Sequence, residues 1–87
     1  MQKVISVKPL ENYRLYAEFS NGEKRICDIK PLLSKSIFSP LKNIQLFNSV
    51  YIEYGAVTWK TDEGVEIDIC SDKLYMDSTA ESERGLV

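Results

Sequence analysis

The chain has 87 residues, 44% hydrophobic and 28% charged, which bounds it to one ordinary globular domain and excludes a wholly disordered chain. Its net charge of −2 comes from 11 basic and 13 acidic residues, and Lys24-Arg25 is the longest basic run, which argues against a surface built to neutralise nucleic-acid phosphates. No stretch approaches the ~18 apolar residues of a membrane span, and Val4 to Val7 is too short for a signal core, so no membrane contact and a cytoplasmic location are expected.

Residues 3–8 carry Val4, Ile5 and Val7 and predict a first strand, ended by Pro9. The stretch YRLYAEFSNGEKRICDI then predicts a hairpin. Asn21-Gly22 suits a two-residue type I′ turn, whose central residues both need positive φ. That turn sets Phe19 opposite Lys24, Glu18 opposite Arg25, Ala17 opposite Ile26 and Tyr16 opposite Cys27. Leu15, Ala17, Phe19 and Ile26 then share an apolar face, and Tyr16, Glu18 and Arg25 share the other.

The stretch IKPLLSKSIFSPLKNIQLFNS loses the strand alternation. Pro31 opens a short turn through Leu32-Leu33. Ser39-Pro40 reads as an N-cap followed by the first residue of a short helix over 40–47, with Leu41, Ile44 and Phe47 on one face.

Next, VYIEY and VTWK flank Gly55-Ala56, which suits a type II′ turn with Tyr54 opposite Val57 and Ile52 opposite Trp59. Asp62-Glu63-Gly64 suits a three-residue loop with Gly64 left-handed, setting Thr61 opposite Val65, Lys60 opposite Glu66 and Trp59 opposite Ile67. Val50, Ile52, Tyr54, Val57, Trp59, Val65, Ile67 and Ile69 then form one apolar face, backed by Glu53, Lys60, Glu66 and Asp68. Two turn rules that agree on one face outweigh either alone. Ser71 is expected to cap a short helix with Asp72 in its first turn, returning Leu74 and Tyr75 to the core. STAESERGLV is polar and aperiodic, so 78–87 reads as a flexible tail after a single domain at 1–77.

Chemistry-bearing residues are sparse. Asp62, Glu63, Glu66, Asp68 and Asp72 crowd together, but aligning Gly64 to the glycine of an EF-hand loop puts Trp59 and Cys70 at ligand positions. In the strand register above they are a turn tip and a solvent face. There is no histidine, which removes the commonest general base, and Cys27 and Cys70 both neighbour carboxylates that oppose thiolate formation. The four glycines are scattered, and Gly22, Gly55 and Gly64 are accounted for by turns, so no phosphate-binding loop is present. No catalytic residue, metal ligand or cofactor is expected. Trp59, Phe19, Phe38, Phe47 and Tyr54 read as core aromatics. Tyr16 and Tyr51 fall on polar strand faces, where exposed tyrosine favours contact with proteins. Tyr16, Glu18, Arg25 and Tyr51 are thus the candidate partner-contact residues.

VISVKPLENYRLYAEFSNGEKRICDIKPLL, FSPLKNIQLFNSVYIEYGAVTW and GVEIDICSDKLY together resemble the bacterial domain-of-unknown-function family 2442 over residues 3–76. The specific parts are Phe19-x-Asn21-Gly22, Asp28 before Leu32-Leu33, Phe47, Trp59, and Asp68 with Leu74-Tyr75. Ser71 stands where such endings often carry proline. The resemblance implies a small α+β fold, a bent and mostly antiparallel sheet of hairpins with about six strands and two or three short helices. It implies no established activity. Some members carry a helix-turn-helix after this domain, and short members are often encoded beside another small protein, in an arrangement similar to a toxin–antitoxin pair.

The function expected on these grounds is a small non-enzymatic protein-binding module, the antitoxin-like or regulatory partner of a neighbouring small protein. The alternative is a DNA-linked regulator domain without its own helix-turn-helix. A protein partner or a homodimer paired through an exposed edge near residues 3–8 is expected, and direct nucleic-acid contact is not.

Overall fold

The computed structural model describes residues 3–80. Among these, β1 (Val4–Leu10), β2 (Arg14–Phe19), β3 (Lys24–Asp28) and β7 (Thr79–Ala80) form one sheet in the order β1-β2-β3-β7. A second sheet has β4 (Tyr51–Glu53), β5 (Ala56–Lys60) and β6 (Glu66–Ile69) in sequence order. Every pairing is antiparallel. Helices α1 (Ile44–Phe47) and α2 (Ser71–Met76) are short, and 3-10 turns cover Glu11–Tyr13, Lys30–Ser34 and Ser36–Lys42. The small antiparallel α+β fold is the expected one, with β7 added. No described helix is long and apolar enough to cross a membrane.

Strand alternation makes the core. Leu15, Ala17 and Phe19 on β2 are buried every second residue, as are Ile67 and Ile69 on β6. Trp59 is fully buried, and its indole Nε1 donates to the Phe47 carbonyl at 2.9 Å. Phe47 stacks on Trp59 at 6.0 Å and meets the Tyr13 ring edge-on at 5.3 Å. The sheets are joined where the Val4 N–H donates to the Gly55 carbonyl at 3.0 Å.

The β5–β6 hairpin has the expected register, with Lys60 opposite Glu66, Trp59 opposite Ile67 and Gly64 at φ +87°. The β2–β3 hairpin does not. Its loop is Ser20-Asn21-Gly22, closed by Gly22 N–H to Phe19 O and Phe19 N–H to Glu23 O, both at 2.9 Å, and only Gly22 has positive φ. The register therefore slips by one residue, to Glu18 opposite Lys24, Ala17 opposite Arg25 and Leu15 opposite Cys27. A one-residue slip turns every β3 side chain over. The expected register would have sent Lys24, Ile26 and Asp28 inward. The observed one buries Cys27 and Ile29 instead, and leaves Ile26 half-buried on the outer face.

At the β4–β5 turn the central residues are Tyr54 and Gly55, at φ +52° and +77°, a type I′ pattern rather than the expected II′. The shift is by two residues, Ile52 now facing Val57, so the faces survive. Tyr54, however, moves from the expected core to the turn tip, 96% exposed. Val65, at the strand end, is exposed as well, and Phe38 is only half-buried.

The helix expected over 40–47 is broken. A 3-10 turn ends at Lys42, Asn43 is extended, and Asn43 Oδ1 accepts from Gln45 N–H at 3.0 Å to cap α1. Ser39 instead donates to the Ser36 carbonyl. The break buries Leu41 and Phe47 but leaves Ile44 exposed. In α2 the N-cap position is Cys70, without a side-chain cap, and Ser71 is the first helical residue. Pro9 lies inside β1 opposite Leu15, tolerated because β1 is an edge strand that needs no donor there. Of the segment read as a tail, Ser78 is buried and Thr79 and Ala80 pair with Ile26 and Arg25, while 81–87 lie outside the described residues.

Candidate partner-contact face

The outer face of the first sheet is a grid of cross-strand rows. One row runs Ser6, Glu18, Lys24; the next Lys8, Tyr16, Ile26, Thr79; the third Leu10, Arg14, Asp28. Tyr16 is at the centre, half-buried by its neighbours, and its hydroxyl makes no hydrogen bond among the described residues. Lys8 and Ile26 flank it directly, presenting a cation on one side and a hydrocarbon surface on the other. Glu18 sits beside it opposite Lys24, so the charges of that row complement one another. Tyr16 and Glu18 therefore share a face, as the alternation of β2 requires.

Arg25 does not join them. The register slip sends it to the inner side, where its Nε donates to Ser78 Oγ at 2.5 Å and a terminal nitrogen donates to the Ser78 carbonyl at 2.9 Å. Its other terminal nitrogen pairs with Glu23 at 2.9 Å, and the guanidinium lies 4.4 Å from the centre of the Tyr75 ring. The Tyr75 hydroxyl donates to Glu23, and Asn21 Nδ2 donates to the same carboxylate at 2.7 Å. These bonds, first from Tyr75 and then from Asn21, lower the Glu23 pKa. In the same way Glu23 raises the Tyr75 pKa, with burial adding to it, so the proton stays on the phenol. This cluster staples α2 and β7 to the β2–β3 hairpin. Arg25 is thus a structural residue. Reasoning from sequence missed Tyr75 and Ser78 in this role; the available signal was Glu23-x-Arg25, which puts both side chains on one face of β3.

Tyr51 belongs to the second sheet. On its outer face Tyr51, Thr58 and Asp68 form one cross-strand row, beside Glu53 opposite Ala56 and Lys60 opposite Glu66. Thr58 is 2% exposed although it points outward, between Tyr51 and Asp68. Desolvation, then Glu53 and Glu66, raise the Tyr51 pKa, so its hydroxyl stays a neutral donor, again with no partner among the described residues. The four expected contact residues thus separate: Tyr16 with Glu18 on one sheet, Tyr51 on the other, and Arg25 inside.

The acidic residues do not converge. Among the described residues, no group of three or more His, Cys, Asp or Glu side chains is placed to hold a metal ion. Both cysteines are free thiols, Cys27 buried and Cys70 exposed. Burial pushes the Cys27 thiol up to about 12. The chain belongs to the family described as "Protein of unknown function (DUF2442)", whose model matches residues 4–80. No curated protein and no solved structure matches it.

Proposed function

We propose that this DUF2442 member is a small non-enzymatic protein-binding module, the antitoxin-like or regulatory partner of another small protein. The observation that carries the reading is Tyr16 at the centre of an outward three-strand grid, its hydroxyl unengaged among the described residues. A tyrosine so placed offers a large, nearly rigid apolar ring and a free polar tip, the combination favoured in interface cores. Tyr51 offers the same on the second sheet. The antitoxin-like part rests on the family resemblance, and the contact surface on geometry. A binding rather than catalytic role is supported by the absence of histidine from the sequence and by a buried thiol held protonated.

Affinity capture of the tagged chain from its own cells, eluted with salt and examined for protein and nucleic acid, tests this reading. One stoichiometric protein partner is expected. Nucleic acid alone, released at moderate salt, would replace the reading with DNA-linked regulation.

A further inference from the structure

A cleft of about 230 Å³ opens where β3 runs past the end of β7. Its floor is apolar: Ile29, Ile69 and Leu74 are 1%, 3% and 3% exposed, with Cys27 beside them. Leu32 lines one wall, and the rim carries Asp28, Lys73 and Asp77.

The rim follows from strand register. Phe19 N–H to Glu23 O and Ile29 N–H to Tyr13 O turn the odd residues of β3 toward β2. The backbone groups of Ile26 and Asp28 therefore point the other way. Ile26 is paired with Thr79 on β7, the last pair of that ladder, so toward Asp28 no described strand covers the edge, and α2 ends beside the cleft at its C-cap Asp77. Asp28 and Asp77 both line the cleft. Lys73 pairs with Asp77 at 3.1 Å, in an exposed i,i+4 arrangement that contributes little. One Asp28 oxygen accepts from Lys30 N–H at 3.1 Å, and the other has no partner among the described residues. The rim is therefore net negative over an apolar floor.

We propose that this cleft binds a small organic ammonium ligand, its hydrocarbon or aromatic body on Ile29, Ile69 and Leu74 and its protonated amine between Asp28 and Asp77. The proposal stands apart from the partner reading. The volume is that of about seven or eight waters, so it admits a body of roughly seven to ten non-hydrogen atoms. An anionic ligand would face two carboxylates.

The test is an amide-resolved NMR titration of the full chain with phenethylammonium, phenethyl alcohol and hydrocinnamate in parallel. Saturable shifts confined to 27–32 and 69–77 are expected, tightest for the ammonium and weakest for the carboxylate. Asp28→Asn keeps the oxygen that accepts from Lys30; it should weaken ammonium binding roughly three-fold, as for an ion pair at an open rim, and leave the alcohol unchanged. Leu32→Trp should fill the cleft and abolish all three responses while the dispersion of a folded spectrum is retained. Absence of saturable shifts with the ammonium, shifts elsewhere, hydrocinnamate binding as tightly, or wild-type binding by folded Leu32→Trp would each overturn the proposal.

Discussion

Arg25→Ala separates a structural arginine from a contact arginine. The guanidinium side chain is 16% exposed and makes two hydrogen bonds to Ser78, at 2.5 and 2.9 Å, besides its place over the Tyr75 ring. Its ion pair with Glu23 involves a carboxylate 38% exposed, so that part is screened and adds little. Truncation leaves the Ser78 carbonyl without its charged donor in a half-buried site. Hydrogen bonds to a charged donor are worth about 1.5–3 kcal/mol, and those at Ser78 are partly shared with its bond to the Tyr75 carbonyl. The expected loss is about 2–3 kcal/mol, or roughly 10–20 °C in Tm for a domain of this size. Equilibrium urea unfolding and calorimetry measure it. The 78–80 segment should detach first, because Arg25 is its main polar tether, and amide exchange at Ile26 should quicken accordingly. A change below about 0.5 kcal/mol would refute the reasoning, since that is the range of an ordinary surface substitution.

Cys70 should react with a thiol reagent in the native protein, and Cys27 only after unfolding, as its burial requires. Because burial raises Cys27 from 9.0 to about 12, its stabilising contribution is intact below pH 9 and is lost as pH rises toward about 12. The unfolding free energy of the wild type should therefore fall more steeply in that window than that of Cys27→Ala, by up to about 1.4 kcal/mol per pH unit. Tyr54→Asn should stabilise by about 0.5–1 kcal/mol in urea titration, because a 96% exposed tyrosine at φ +52° gives way to a residue that tolerates the left-handed conformation. Trp59 fluorescence should resist iodide, and Trp59→Phe should cost about 1–3 kcal/mol by opening a void and leaving the Phe47 carbonyl with only the longer bond from the Val50 N–H at 3.4 Å.

What the sequence made legible was local. Gly64 and Thr61 determine the β5–β6 hairpin within five residues: Gly64 takes positive φ, and Thr61 Oγ1 accepts from Val65 N–H at 3.0 Å. Asn21-Gly22 is ambiguous by comparison, because Asn-Gly serves a two-residue turn and Gly22 alone serves a three-residue loop. Burial of Cys27 and Ile29 chose between them, together with Asn21 Oδ1 accepting from Glu23 N–H at 3.0 Å. The place of Tyr54 depends on a contact from Val4 to Gly55, far away in sequence. Arg25 meets Ser78 across 53 residues, a separation that no periodicity reports. The candidate face shows the same division. Tyr16 and Glu18 were readable from the alternation of β2 alone, whereas assigning Arg25 required the register of its partner strand.

The most direct test of the central claim is quantitative capture of the protein partner by wild type and by the double variant Tyr16→Ala/Tyr51→Ala, with Tm measured on both. A stoichiometric partner held by wild type and lost by a double variant of unchanged Tm is the predicted result. Undiminished capture by that variant, or no protein partner for the wild type, would contradict the account.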